Sequence, residues 1–280
     1  MIFLSHGVLL GRDLDRISHA LMLDEDAYRI HLQRMKYVPL ADALAGKGDA
    51  LTFDDASHAA IRGALIAREH GHPVTLFVNG WHVEARAPYF PYQLSAILDY
   101  TRKDRCFLLG RNWNLTTLAE KRTLRQELKR VYMKFENWDQ IVALVRTVSE
   151  ELGVPKMEDG LRTVERKDLL DAAAIGVDLQ NHGWTHLNPQ LYSLSQLDHD
   201  IQRNRHWLHQ LTGREASVYA PPFGKVGYRD TGFGENVLIA RGDGEGISLA
   251  NRVSLSIHSA TVESAMGDAT DGNSSPQVTL

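Results

Sequence analysis

The 280-residue sequence has a single cysteine, Cys106, so no disulfide can form within the chain, and a reducing compartment is permitted. No apolar run approaches the roughly 18 residues that a membrane-spanning helix needs. The net charge of −4 gives no overall basis for binding nucleic acid. The first residues are apolar, but no basic segment precedes them, and His6 and Arg12 interrupt them. We therefore expect no secretory signal and a cytoplasmic protein.

The composition is that of an ordinary globular protein, with 43% hydrophobic and 24% charged residues. Apolar, strand-like segments alternate with segments of helical periodicity at residues 24–36, 57–70 and 193–211, which indicates an α/β fold with a parallel sheet. Such folds reach about 250 residues as one unit. We predict one domain over residues 1–258. Residues 259–280 have few large apolar side chains and are expected to form a flexible tail.

Two short motifs carry the chemical information. Asp54 and Asp55 are adjacent carboxylates, and His182 and His186 form a His-x-x-x-His pair far downstream. One carboxylate with two imidazoles makes a three-ligand metal site that leaves a position open for water, and the second carboxylate can take a proton from that water. Each motif alone is weak, because Asp pairs are common in helix caps and solvated histidines occur at the same spacing. Together they predict a mononuclear metal hydrolase.

Each of four predicted strands ends in polar or loop-forming residues. These junctions are residues 50–53 before the Asp pair, 177–180 before His182, 217–220 before Pro221-Pro222-Phe223-Gly224, and 252–257 before His258. A helix predicted at residues 164–175 precedes the second of them. In α/β barrels the active site is built from the loops at this end of the strands. The four junctions are therefore expected to share one site.

With these motifs the chain resembles the polysaccharide deacetylase (NodB-homology) family of metal-dependent amidohydrolases, of the carbohydrate esterase type. The similar segments are Thr52-Phe53-Asp54-Asp55, the metal motif from His182 to His186, Pro222-Phe223-Gly224 at the end of an Arg-x-Pro-Tyr/Phe-Gly motif, and Leu255-Ser256-Ile257-His258. The resemblance extends from about residue 2 to residue 258. It implies a distorted (β/α) barrel, here with a helical insertion.

The resemblance also implies roles for individual residues. One divalent metal ion, most simply Zn²⁺, would be bound by Asp55, His182 and His186. Asp54 would act as the general base, and His258 would protonate the departing amine as the general acid.

Other residues have weaker assignments. The backbone N–H of Phe223 resembles the family's donor to the tetrahedral oxyanion. Pro222, Trp184 and His6 are candidates for contacts with the substrate. Trp184 suits a position in the core equally well, and His6 suits a structural role.

Two positions depart from the family pattern. Ala56 follows the Asp pair where Gly is common, and Ala220 occupies the place of the Arg that orients the base carboxylate. Either another cation, such as Lys225 or Arg229, replaces that Arg, or turnover is low.

The sequence thus predicts a metal-dependent N-deacetylase acting on an acetamido sugar, in a saccharide or its activated precursor. Two alternatives stay open. One is a deformylase or other amidase that uses the same site. The other is a carbohydrate-binding pseudoenzyme that retains the metal but turns over little. The sequence identifies neither the sugar nor an oligomeric state.

Residues 84–160 are interpreted as an insertion relative to the family, with helices predicted at 115–132 and 138–152. Between residues 101 and 134 there are ten Lys or Arg against three Asp or Glu. This basic segment could receive a phosphorylated or lipid-linked sugar. It could equally be the solvated face of a helix.

Overall fold

A central sheet dominates the computed structural model, which describes residues 1–154, 156–224, 237–241 and 248–253. The strands of the described chain are β1 (Ile2–Ser5), β2 (Val8–Leu9), β3 (Leu23–Asp24), β4 (Ala50–Asp54), β5 (Thr75–Val78), β6 (Arg105–Leu108), β7 (Arg111–Asn114), β8 (Asp178–Asn181), β9 (Val237–Arg241) and β10 (Ser248–Val253). The sheet has the order β8-β5-β4-β1-β10-β9. Its members β1, β4, β5 and β8 run parallel, as predicted.

Helices connect and cover these strands. Those of the described chain are α1 (Glu25–Arg34), α2 (Leu40–Leu44), α3 (His58–Glu69), α4 (Gly80–Ala85), α5 (Phe90–Tyr100), α6 (Leu118–Tyr132), α7 (Trp138–Leu152), α8 (Arg166–Ala174) and α9 (Leu194–Thr212). The predicted α/β class is therefore confirmed. None of the described helices is both long and apolar enough to cross a membrane.

The predicted helices begin and end close to the observed ones because their caps are encoded locally. The Oγ of Ser57 accepts a hydrogen bond from the N–H of Ala60 at 3.1 Å, which confirms the predicted cap of α3. At the start of α9, Ser193 and Gln196 form a reciprocal capping box. Asp24 caps α1 in the same manner as Ser57.

The parallel strands are buried on both faces. Every residue of β4 and β5 is buried, and Phe53 and Leu76 are fully inaccessible. Helix α3 contributes Ala60 and Ala64 to the same core. This double burial explains why these strands appear in the sequence as continuous apolar runs rather than alternating patterns.

Residues 84–160 contribute a second apolar cluster, which is formed mainly by α5, α6 and α7. Helix α7 has the predicted bounds, and α6 begins three residues later than predicted, after the Thr117 cap. Helix α5 and the antiparallel β6–β7 hairpin were not predicted. That this segment is an insertion relative to the family stays a prediction.

The last two predicted strands have different outcomes in the structure. Residues 217–220 form one parallel bridge, between Tyr219 and Asn181 of β8, instead of a full strand. The strand predicted at 252–257 coincides with β10 at residues 252–253, and residues 254–257 lie outside the described residues. Strand β10 pairs antiparallel with β1, so the sheet is not wholly parallel. His258, the tail 259–280, Lys225 and Arg229 lie outside the described residues.

Candidate active site

The carboxyl ends of four parallel strands meet at one edge of the sheet. His6 follows β1, Asp55 follows β4, Asn79 follows β5 and His182 follows β8. Because these strands are neighbours in the sheet, the residues that follow them are brought together although they are distant in sequence. The structure therefore places both halves of the predicted site at this edge.

Asp55, His182 and His186 form a buried group whose possible ligand atoms all lie within 4.8 Å of one another. The Oδ1 of Asp55 is 3.1 Å from the Nε2 of His186 and 3.6 Å from the Nε2 of His182. One carboxylate oxygen and two imidazole nitrogens are a donor set that suits zinc. These three side chains are thus arranged so that they can hold a metal ion.

Hydrogen bonds outside the group fix which atoms face inward. The Nδ1 of His182 lies 2.7 Å from the carbonyl oxygen of Ala220 and must donate to it, so in the neutral ring, the form that binds a metal ion, Nε2 presents a lone pair to Asp55. The hydroxyl of Tyr92 donates to the Oδ2 of Asp55 at 2.6 Å, whereas Oδ1 has no hydrogen-bond partner among the described residues. Electron-rich atoms that face each other in a buried space favour a cation between them. The residues present fit a metal ion.

Asp54 is buried directly beside this group. Its Oδ2 lies 3.9 Å from the Nε2 of His182, and its Oδ1 has no partner among the described residues. Burial raises the pKa of Asp54, although His182 and His6 oppose the shift. Burial would also raise the pKa of Asp55, but the nearby site histidines, His186 above all, bring that pKa well below its usual range. The two carboxylates therefore differ in their environments, and Asp54 is the more basic.

The backbone is strained at the same place. Asp55, His186 and Phe223 have φ values of 63°, 57° and 60°, and they are three of the five non-glycine residues with positive φ in the described chain. Asp and His tolerate this left-handed conformation better than most residues, whereas a bulky Phe rarely adopts it. Strain of this kind concentrates at functional sites because the surrounding structure must enforce it.

The Pro222–Gly224 turn lies against the group of Asp55, His182 and His186, called the metal group below. The ring centroid of Phe223 is 4.8 Å from that of His186, and the backbone N–H of Phe223 donates to no acceptor among the described residues. Pro222 is buried in the same turn. The turn therefore lies beside the group, and the oxyanion role of the Phe223 N–H stays a prediction.

Two weaker candidates lie in different surroundings. Trp184 is buried in the main core, where its ring contacts that of Trp207 and the guanidinium of Arg203 lies 4.3 Å from its centroid. This position favours packing over contact with a sugar. His6 is half-buried after β1, near enough that its charge opposes the rise in the pKa of Asp54. It lies at the site edge.

Three supporting residues were not identified from the sequence. Tyr92 holds Asp55, and Asn79 donates to the carbonyl oxygens of His182 and Gly183. No motif or periodic pattern indicated Tyr92, whereas Asn79 directly follows the apolar strand β5, as Asp55 follows β4, and this position was a signal.

Asp200 is the third of these residues, and it holds the loop between His182 and His186. It accepts from the backbone N–H groups of Trp184 and Thr185 and from the Thr185 hydroxyl. A signal for Asp200 did exist, because it lies at helical spacing with the buried Leu197 and Ile201 of α9. An acidic residue on an apolar face needs buried partners.

Ala220, which occupies the place of the family's Arg, lies in apolar surroundings. Its side chain packs in a small apolar cluster with Ile2, Phe77 and Val218. We expect Ala220→Arg to lower the free energy of unfolding by about 3 kcal/mol or more, because it buries an unpaired guanidinium. Denaturant titration measures this loss. Ala220→Met, which adds length without charge, should cost less. An Ala220→Arg protein that is as stable as wild type and turns over faster would show instead that the Arg can reach Asp54.

The chain was compared with known proteins. The family description "Polysaccharide deacetylase" matches residues 43–232. A comparison with curated protein sequences gives no match. Among solved structures, the chain is similar to the Streptococcus pyogenes deacetylase PplD in complex with acetate, with a TM-score of 0.50 and 12% identity over 82% of this chain and 75% of that one.

Two further solved structures share less of the geometry. A de-N-acetylase from Aggregatibacter actinomycetemcomitans has a TM-score of 0.42 and 11% identity, over 80% of this chain and 79% of that one. BC0361, a polysaccharide deacetylase from Bacillus cereus, has the same TM-score and identity, but the match spans only 51% of its length and 80% of this chain.

Sequence identity this low shows a shared fold and nothing more, and the similarity to PplD supports the predicted distorted (β/α) barrel. The family assignment depends on the match to residues 43–232, which covers most of the chain and includes the Asp pair, both metal-motif histidines and the Pro222–Gly224 turn. The chain belongs to the polysaccharide deacetylase family.

Proposed function

We propose that this protein is a metal-dependent hydrolase that removes the N-acetyl group from an acetamido sugar, in a saccharide or its activated precursor. The observation that supports this most directly is the buried carboxylate of Asp54, whose Oδ1 has no partner among the described residues, beside the group of Asp55, His182 and His186. A three-ligand group with an adjacent base is the arrangement that amide hydrolysis needs.

We infer that Asp55, His182 and His186 hold one Zn²⁺ ion, although Co²⁺ or Ni²⁺ could replace it in vitro. When bound, the ion polarises the amide carbonyl and lowers the pKa of water. The hydrogen bond from Tyr92 to the Oδ2 of Asp55 leaves Oδ1 as the ligand atom, and the bond from His182 to the carbonyl of Ala220 leaves its Nε2 as another.

The remaining roles fall to the surrounding groups. Asp54 takes a proton from water as the water oxygen bonds to the carbonyl carbon. The N–H of Phe223 donates to the oxyanion that forms, and Pro222 holds this turn in place. The C–N bond then breaks, and the amine leaves with a proton from a general acid. His258 is the proposed acid, and it lies outside the described residues. His6, at the end of β1, is a second candidate for this proton.

Acetate release from a panel of acetamido monosaccharides, nucleotide sugars and oligomers tests the proposal. We expect the zinc-loaded protein to release acetate from at least one substrate, and a chelator to stop the release. Formate release from N-formyl substrates alone would indicate a deformylase. Binding of a sugar with one metal ion per chain and no release of acetate would favour the pseudoenzyme.

The basic segment 101–134 offers a route to a phosphorylated substrate, but part of it is already engaged. Arg125 bonds to Ser95 and Tyr132 inside the helical cluster, and Arg130 pairs with Glu127. Arg102 and Arg105 are exposed and have no ion pair among the described residues. These two are among the side chains of the segment that could contact a phosphate.

If that contact forms, activity on a nucleotide sugar should fall steeply with salt, because exposed charges are screened. Activity on a neutral oligosaccharide should stay constant. Identical salt profiles for the two substrates would favour the solvated-face interpretation.

A cytoplasmic location stays a prediction, and it is compatible with the single unpaired thiol of Cys106.

A further inference from the structure

Two neighbouring buried histidines each have one ring nitrogen without a partner among the described residues. These atoms are the Nδ1 of His186 and the Nε2 of His82. The two rings are nearly perpendicular, at 84°, and their centroids are 6.1 Å apart. Polar atoms buried in this manner are costly unless they are paired, so two of them in adjacent rings call for a common explanation.

The positions of the ring protons make the two atoms complementary. The Nδ1 of His82 lies 3.0 Å from the carbonyl oxygen of Ala87, which can only accept, so the Nε2 of the neutral ring is an acceptor. The Nε2 of His186 faces the Oδ1 of Asp55. If that Nε2 binds a metal ion, the proton of His186 must be on its Nδ1, which is then a donor.

We propose that His82 is a positioning residue for the metal site, and that its Nε2 accepts the hydrogen bond from the Nδ1–H of His186. The proposal rests on the metal ligation proposed above. The two nitrogens form no direct hydrogen bond in the structure, so a small rotation of the His186 ring or one bridging water completes the pair. A ligating imidazole with its second nitrogen held in this way keeps both its tautomer and its orientation.

The surroundings hold His82 firmly in place. Its ring stacks on that of Tyr89 with centroids 4.0 Å apart, and the ring of Trp138, whose Nε1 also has no partner among the described residues, lies 5.2 Å away at 72°. The hydroxyl of Tyr89 accepts from the N–H of Ala56 at 2.8 Å and donates to Asn79 at 3.1 Å. The carbonyl of Ala87, just after α4, therefore holds one side of the His82 ring. The ring of Tyr89, whose hydroxyl bonds to Ala56 next to the Asp54-Asp55 pair, holds another.

The test is zinc affinity, measured by competition with a chromophoric chelator. His82→Phe keeps an aromatic ring for Tyr89 but removes the acceptor, and we expect zinc to bind 10- to 100-fold more weakly, on the order found for lost partners of metal ligands. His82→Gln restores an acceptor oxygen and should recover most of the affinity. His72→Phe is the matched control, because His72 also bonds to a backbone carbonyl but lies beside Tyr37, among residues that contribute nothing to the site.

A folded His82→Phe protein with wild-type zinc affinity would overturn the proposal, and so would failure of His82→Gln to improve on Phe. The wild-type protein gives an independent check if the variants do not fold. Nitrogen-15 NMR of the zinc-loaded protein should show the proton of His82 on Nδ1 and a proton on the Nδ1 of His186, whereas a proton on the Nε2 of His82 would contradict the pairing. Absence of zinc binding in wild type would instead count against the proposed function itself.

Discussion

Asp54→Asn should retain one metal ion per chain and lose turnover by a factor on the order of 10²–10⁴. The amide has nearly the shape of the carboxylate, so the buried pocket is preserved, but it cannot take a proton from water. Elemental analysis measures the metal content, and kcat on the best substrate of the acetate panel measures the loss of turnover. This expectation follows from the position of Asp54 beside the metal group and outside it.

Asp55→Asn is the matched control, since it makes the same chemical change one residue away. We expect it to weaken metal binding itself, because Asp55 supplies the carboxylate oxygen that faces both histidines. Tyr92 can still donate to the amide oxygen, so the fold should survive the change. Equal loss of metal in the two variants would mean that the roles of the two carboxylates are assigned incorrectly.

His186→Ala and His182→Ala should each abolish stoichiometric metal and, with it, activity. Each removes one of three ligands from a buried group, and no other described His, Cys, Asp or Glu is grouped with them as a replacement. Elemental analysis after dialysis against trace zinc measures the loss.

His58→Ala is a suitable control for these two variants, because His58 is exposed at the start of α3, close in sequence to the Asp pair. Its metal content should equal that of wild type. Full metal content in both His182→Ala and His186→Ala would show that the metal site lies elsewhere.

The sequence located the ends of the strands well because buried parallel strands and their loops leave a local pattern. Asp55 follows the apolar strand β4, and His182 follows the short strand β8 that comes after a predicted helix and Gly176, so both were expected at the carboxyl ends of strands. Helix α3 was equally predictable from the sequence, since Ser57 caps it and its apolar residues recur at helical spacing. These features depend on residues within a few positions of one another.

Features that depend on distant contacts could not be predicted in this way. Tyr92 is an unremarkable residue of an amphipathic helix until the fold brings it to Asp55, and His82 has no periodic partner that indicates its burial. The loss of the expected Arg at Ala220 also has a tertiary reason, because the Ala side chain completes an apolar cluster that includes Ile2 of β1. The pairing of β10 with β1 is another long-range contact without a local signal.

The left-handed backbone at Asp55, His186 and Phe223 lowers the stability of the protein at positions whose side chains form the candidate site. Glycine adopts this conformation without the steric cost, roughly 1–2 kcal/mol, that a side chain incurs. A mutant library selected only for proteins that stay folded on heating would therefore be expected to accumulate glycine at positions 55 and 186. The side chains at these positions belong to the candidate site and do not pack in the apolar core. Such proteins would be more stable but inactive. Selection for stability and selection for activity would therefore favour different residues at the same positions.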